Sequence, residues 1–313
     1  MKAVVVRSFG GPEALEIADV PVPEPEAGQV RIRVEAAPVN PVDIATRAGW
    51  LVESGLMRAD GQIGIGWDLA GEVETVGAGV EKFRPGDNVI GIRDLLNAPI
   101  GAQAEQIVLD EDAIAHAPRT VSAAEASTLP LNGLTAAQGL DLLALERGQW
   151  LLVTGAAGAL GGFVLEMAAL RGLQTVAVAA TYDEEIVRQL GADKFVPRTE
   201  RLGPAVRHLV PGGVDGAFDA ALVGLSALDA VRDGGAFLAV SAGAAPLPLR
   251  GIRVQNQWIH QDGARLSELV ALLDGGRLTA RVASTHPLGE VSAAHERIAR
   301  GGVRGRIVLQ PAA

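Results

Sequence analysis

The chain has 313 residues, 48% hydrophobic and 20% charged, and contains no cysteine, which excludes disulfides, thiolate nucleophiles, iron–sulfur ligation and every cysteine-containing zinc site. Its 27 Lys and Arg against 37 Asp and Glu leave a net charge of -10, the wrong sign for a protein that holds nucleic acid by neutralising phosphates. The length exceeds the roughly 250–300 residues at which one hydrophobic core stops growing, so two domains are expected, and no apolar run approaches the roughly 18–20 residues of a membrane span.

The N-terminal stretch Met1–Gly10 carries one lysine before an apolar run that Arg7 interrupts, without the regions of a signal peptide, so a cytoplasmic location is expected. The first third reads as strands at Ala3–Val6, Gln29–Ala37 with alternating Val30, Ile32 and Val34, Gly71–Val76 and Asn88–Ile92. Turns at Pro21–Pro25, Gly77–Gly79 and Pro85–Asp87 separate them. From about Ser122 the pattern becomes Ala/Leu-rich helices alternating with apolar strands at Trp150–Thr154, Thr175–Ala179, Gly216–Asp219 and Ala236–Val240. Such alternation predicts a parallel sheet with crossover helices. A helix over Glu290–Ala299, a glycine-rich turn at Gly301–Gly305 and a strand at Arg306–Leu309 complete the chain. The order predicts a β-rich domain, residues 1–120, completed by residues 262–313, with a nucleotide-binding domain, residues 121–261, inserted between.

The strongest chemical signal follows Trp150–Thr154: Gly155, Ala156, Ala157, Gly158, Ala159, Leu160 and Gly161 lead into the apolar helix Phe163–Leu170. Gly155 and Gly158 would let the backbone turn sharply beside a pyrophosphate, Gly161 would allow close helix–strand packing, and the helix N-terminus would present free N–H groups to the anion. At the end of the next strand, Val178-Ala179-Ala180-Thr181-Tyr182 places no carboxylate before Asp183. NAD binders need such a carboxylate for the ribose 2′-hydroxyl, so NADPH is the favoured cofactor. Thr181 and Tyr182 could donate hydroxyl hydrogen bonds to a 2′-phosphate, and Arg188 is the first basic residue in reach; alternatively Tyr182 only covers the surface.

The glycine turn resembles that of the zinc-free quinone oxidoreductases of the medium-chain dehydrogenase/reductase superfamily. Six further blocks resemble the family's in its order: Val39–Asp43, Gly66–Val73, Phe83–Asp87, Leu134–Ala136, Leu190–Asp193 and Arg304–Leu309. The resemblance implies an α/β protein with a GroES-like β-rich catalytic domain and a Rossmann doubly wound domain, the latter holding NADPH. It also implies a homodimer paired through sheet edges, with Gly234–Val240 as the expected edge strand. Relative to zinc-dependent members, Asn40 stands at a cysteine ligand position and Trp67 at a histidine ligand position, so a catalytic zinc is not expected. The family's threonine beside the nicotinamide corresponds to Thr135, which could instead cap a helix. Asn40 could bond a substrate carbonyl or a cofactor hydroxyl, or serve as a turn residue before Pro41. Ser241, Ala242 and Gly243, after a strand of the parallel sheet, and Asn256, Gln257 and Trp258 are the remaining expected cofactor contacts. Where several relatives have a tyrosine this chain has Ala45, so Asp43, Asp68 or solvent must supply any proton, although either aspartate could be structural.

The expected reaction is hydride transfer from NADPH to a quinone, with an enone or enoyl double bond as the alternative acceptor and a noncatalytic NADPH-binding protein as the alternative of another class. Trp50, Leu51, Leu56 and Met57, within Trp50–Gly64, are candidates for an apolar pocket wall.

Overall fold

The structure, a computed structural model, describes residues 1–58, 61–241 and 243–311. The chain divides into two compact units, one made of Met1–Leu131, His260–Gly276 and Ala280–Ala313, the other of Asn132–Ile259 and Arg277–Thr279. The first division falls at Leu131/Asn132, inside a helix, rather than at the expected 120/121.

In chain order the first unit contributes strands β1 (Lys2–Val6), β2 (Glu16–Asp19), β3 (Gln29–Val39), β4 (Ile63–Gly64), β5 (Asp68–Val76), β6 (Asn88–Ile92), β7 (Gln106–Asp110) and β8 (Ile114–His116). Between them lie α1 (Pro41–Ala48) and α2 (Trp50–Glu53), and after them α3 (Ala123–Ser127) and the start of α4 (Leu129–Leu143). Strand β3 shows why the sheet forms: Val30, Ile32 and Val34 are fully buried, while Arg31 and Arg33 point outward and pair with Glu74 and Glu72 on β5.

The second unit carries β9 (Trp150–Thr154), α5 (Ala159–Leu170), β10 (Gln174–Ala179), α6 (Glu184–Gln189), β11 (Lys194–Pro197), α7 (Leu202–Leu209), β12 (Val214–Asp219), α8 (Leu225–Ala230), β13 (Val231–Ala239) and β14 (Arg253–Asn256). Its six strands are all parallel and run β11-β10-β9-β12-β13-β14. Counted from β9, that is the 3-2-1-4-5-6 order of the dinucleotide-binding folds, with the switch point between β9 and β12. The middle of each central strand is a buried apolar run, Leu151–Val153 in β9, Val176–Ala179 in β10, Ala217–Phe218 in β12 and Ala236–Ala239 in β13, as burial on both faces requires. The Gly234–Val240 segment is not an edge: it lies largely in β13, which pairs with β12 on one side and β14 on the other. The edge is β14, whose Arg-Val-Gln-Asn sequence has the polar character of a solvent-facing strand.

The chain then returns through α9 (Gly263–Asp274), β15 (Val282–Pro287), α10 (Val291–Ala299) and β16 (Arg306–Gln310). β16 pairs antiparallel with β3, so the C-terminal residues complete the first unit's sheet, in the order β15-β16-β3-β5-β6-β8 with β7 also on β3. Among the described residues no helix is long and apolar enough to cross a membrane.

Candidate functional site

The dinucleotide turn begins where β9 ends. Gly155 adopts φ +61, a left-handed conformation in which side chains are strained, and Gly158 N donates to Gly155 O at 2.9 Å to close the turn. Gly158 then caps α5 with φ -72 and extended ψ. A Cβ at Gly161 would lie 2.3 Å from Gly155 O and 2.7 Å from Ala156 Cα, so only glycine lets the first turn of α5 approach the strand end this closely. Ala156, Ala157 and Ala159 are buried, and Leu160 is half-buried. Small residues therefore surround a helix N-terminus whose N–H groups can face an anion.

Beyond β10, Thr181–Asp183 forms a 3-10 turn in which Thr181 and Tyr182 are exposed, Tyr182 by 74%, and Asp183 is buried. Arg188 is already engaged: its Nε and Nη2 donate to Glu184 Oε1 at 2.9 and 2.7 Å. Sequence reasoning missed the better-placed cation. Pro197 is in register with Ala179, and Arg198 N donates to Ala179 O at 2.7 Å, so Arg198 stands at the tip of β11 beside the carboxylate-free tip of β10. The Arg198 side chain is exposed and has no ion pair among the described residues. Recognising β11 would have revealed it, but a four-residue strand that opens on lysine and closes on proline has no apolar run to mark it.

At the other end of the rim, Ser241 and Gly243 follow β13, with Gly243 at φ +74, while Ala242 lies outside the described residues. Asn256 ends β14 and its Oδ1 accepts from Ala245 N at 3.2 Å. Gln257 is buried, donating its Nε2 to Thr135 O at 3.0 Å and its backbone N–H to Ala239 O at 2.8 Å. Thr135 is thus brought beside the end of β14, but it lies inside α4 and is not a cap. Trp258 is 43% exposed.

The first unit holds a second polar cluster, fully interior. Asn40 precedes α1, whose first residue is Pro41. Its backbone N–H donates to Asp43 Oδ2 at 2.7 Å, and its Nδ2 donates to Asp68 Oδ1 at 2.7 Å. Asp68 Oδ2 accepts from Leu131 N at 3.2 Å, in the first turn of α4. Burial pushes the Asp43 carboxyl up to about 8, its bond from Asn40 N and the charge of Arg306 pulling the other way. Burial likewise pushes Asp68 up to about 6, against the charge of Arg306 and the Asn40 bond. Burial also depresses the Arg306 guanidinium and takes the His295 imidazole down to about 3, so His295 is neutral. Asn40 Oδ1 is buried with no partner among the described residues, leaving an open acceptor. Asp43 Oδ2 and Asp68 Oδ1 together fix Asn40. Of the apolar-wall candidates, Leu51 and Met57 are buried whereas Trp50 and Leu56 are 61% and 42% exposed, and Ala59 and Asp60 of that segment lie outside the described residues.

Two family models match, the alcohol dehydrogenase GroES-like domain over residues 26–119 and a zinc-binding dehydrogenase domain over residues 190–309. The NADPH-dependent alkenal/one oxidoreductase of Arabidopsis thaliana chloroplasts is 30% identical over 99% of this chain and 80% of its own length. The quinone oxidoreductase structure from Coxiella burnetii superposes with TM-score 0.88 at 27% identity over 99% of each chain. A mycobacterial structure, Rv1454c complexed with NADPH, gives TM-score 0.85 at 26% identity over 99% of this chain and 100% of its own. The chain belongs to the quinone oxidoreductase branch of the medium-chain dehydrogenase/reductase superfamily. It is an oxidoreductase of a family that binds nicotinamide cofactors.

Within this quinone oxidoreductase scaffold the donor set does not fit the zinc implied by the second matching model. At the two positions where the resemblance puts zinc ligands this chain has Asn40 and Trp67, neither a usual zinc ligand, and Trp67 is buried at 5% exposure; among the described residues no group of three or more His, Cys, Asp or Glu is gathered that could hold a metal. The glycine cradle does fit a dinucleotide: the space a Cβ would fill at Gly161 is taken by the turn itself, which brings the α5 N-terminus up to the end of β9.

Proposed function

We propose that this chain is an NADPH-dependent, zinc-independent reductase of quinones. The observation that carries the cofactor assignment is the pair of strand tips: β10 ends without a carboxylate, and an exposed, uncommitted arginine, Arg198, follows β11 directly beside it. An arginine fork suits the phosphate that distinguishes NADPH from NADH, and the Thr181 and Tyr182 hydroxyls complete the donor set. Gly155–Gly161 and the α5 N-terminus hold the pyrophosphate.

When bound, NADPH supplies the hydride. The protein's task is then orientation and exclusion of water. In the second unit, Thr135 and Gln257, joined through the Thr135 carbonyl, are assigned to orienting the nicotinamide; in the first, Asn40, fixed by Asp43 and Asp68, is a catalytic candidate in its own right. With Ala45 where a tyrosine would donate, the proton that completes reduction comes from solvent or from Asp43, whose carboxyl is pushed up to about 8 by burial and so is protonated at neutral pH. A quinone suits such a site because its own conjugation spreads the incoming charge without a Lewis acid.

A second reading, reduction of a conjugated alkenal or enone, is favoured by the relative named for that activity. Steady-state NADPH oxidation with a quinone panel beside an enone panel separates the two. Higher kcat/KM for the quinones supports the main reading, higher kcat/KM for the enones the second, and tight NADPH binding with no oxidation by either panel refutes both. We further propose a homodimer formed through the β14 edge, where Leu247 and Leu249 are 78% and 50% exposed close in sequence to the strand.

A further inference from the structure

Asp219 ends β12 at the switch point of the parallel sheet, fully buried and directly in register with Thr154, the last residue before the glycine turn. Its Oδ1 accepts from Thr154 Oγ1 at 2.6 Å and from Val223 N at 3.1 Å, and its Oδ2 accepts from Gly224 N at 2.8 Å. Thr154 Oγ1 in turn accepts from Ala221 N at 3.0 Å. The two side chains thereby accept from three N–H groups of the Ala220–Gly224 loop, those of Ala221, Val223 and Gly224. The loop they hold lies against the turn: a Cβ at Gly155 would be 3.3 Å from Ala221 Cβ and 3.4 Å from Ala221 N.

The loop is also strained and apolar. Leu222 sits at φ +55, a conformation rare for a branched side chain, and Leu222, Val223 and Leu225 are 48%, 39% and 60% exposed. Strained residues persist only where the surroundings over-determine them, and here the bonds from Asp219 to the next two N–H groups do so. In open α/β sheets this rim, at the carboxyl ends of the strands flanking the switch point, is where ligands sit.

We infer that Asp219 is a positioning residue for the cofactor: through Thr154 it clamps the Ala220–Gly224 loop onto the dinucleotide turn and makes that loop the second wall of the NADPH groove. The inference rests on the reading that Gly155–Gly161 holds NADPH. Its chemistry is specific. A carboxylate only accepts, so it can take all three donors at once, whereas an asparagine of the same shape would turn its NH2 toward one of them.

The test is NADPH titration and stopped-flow dissociation with the full chain and the variants Asp219→Asn, Thr154→Val, Thr154→Ser and the Asp219→Asn/Thr154→Val double variant. Asp219→Asn and Thr154→Val are each expected to raise the Kd for NADPH about tenfold through faster dissociation, and the double variant to be no worse than the weaker single, because both break one clamp. Thr154→Ser, which keeps the hydroxyl, stays within about threefold of the parent, and the KM for the acceptor is unchanged. If Asp219→Asn does not fold, the contrast between Thr154→Val and Thr154→Ser decides alone. Additive effects in the double variant, or folded single variants that hold and release NADPH like the parent, overturn the inference while leaving the cofactor reading in place. A parent chain that binds neither NADPH nor NADH overturns both.

Discussion

Replacing Gly161 by alanine probes the dinucleotide turn at the point where its geometry is least forgiving. The added Cβ would sit 2.3 Å from Gly155 O, 2.7 Å from Ala156 Cα and 2.8 Å from Gly155 C, all backbone atoms that cannot swing aside. Restoring ordinary contact requires α5 to retreat from the strand end by about 1 Å, an overpacking distortion worth roughly 1–3 kcal/mol. In a two-unit chain of this size such a loss lowers the melting temperature by several degrees, on the order of 2–4 °C per kcal/mol. The same retreat carries the helix N-terminus off the pyrophosphate, and a misplacement of about an ångström costs roughly 10–100-fold in a positioned interaction. Gly158→Ala is the matched control, since its φ of -72 suits any residue and its Cβ meets only Gly155 O, at 3.1 Å. It should melt within a degree or two of the parent, on the order of the few tenths of a kcal/mol that a slight shift costs, while Gly158→Asp folds but loses NADPH through charge repulsion. Differential scanning calorimetry with NADPH titration reads both effects. If Gly161→Ala melts and binds like the parent, α5 does not pack on the turn as described and the cradle is misplaced.

Other consequences are as direct. Arg198→Ala should raise the KM for NADPH roughly 10–100-fold and leave NADH nearly unaffected, whereas Arg188→Ala, whose guanidinium is spent on Glu184, should leave the NADPH/NADH ratio of kcat/KM as it is; equal effects on the two cofactors would remove Arg198 from the 2′-phosphate. Asp43 is raised in the folded chain from 3.8 to about 8, so its contribution to stability is complete below pH ~4 and is lost as the pH rises through about 8. Asp43→Asn should therefore flatten the fall in melting temperature between pH 5 and 8, and an unchanged slope would contradict the buried-acid assignment. Asn40→Ala and Thr135→Val should each cut turnover roughly 10–100-fold at little cost in NADPH affinity, with melting temperatures measured alongside; full turnover in a well-folded double variant would exclude both from the site. Light scattering at micromolar concentration should give twice the chain mass, and a charge introduced beside the β14 edge at the 78% exposed Leu247 by Leu247→Lys should halve it.

The parts of the fold legible in the sequence are those where one physical requirement dominates. A strand buried on both faces must be apolar, so Trp150–Thr154 and the strands at its sides declare themselves, and a turn that must pass a pyrophosphate needs the spacing of Gly155, Gly158 and Gly161. Edge strands have no such requirement, which is why Lys194–Pro197 and Arg253–Asn256 went unread and why the edge was assigned to the wrong strand. The same gap reaches the site: with nothing to mark β11, the sequence offers Arg188 as the first basic residue in reach, although Glu184, one helical turn before it, takes its charge. Asn40 is legible as a residue of interest, and its backbone bond to Asp43 is local, but the side-chain bond to Asp68 joins positions 28 apart that only the folded sheet brings together. Thr135 read equally well as a cap, and only the extent of α4 places it inside a helix.

The burial of Trp67 has an evolutionary consequence. Exchanging that indole for an imidazole would empty interior volume, and large-to-small changes at buried sites destabilise through lost burial and the cavity left behind. A mutant lineage drifting toward a metal site would bear that loss before gaining any ligand, because Asn40 would still be held by Asp68 and would still offer no thiolate. A metal site at these two positions would therefore require both exchanges together, since neither alone completes a ligand set.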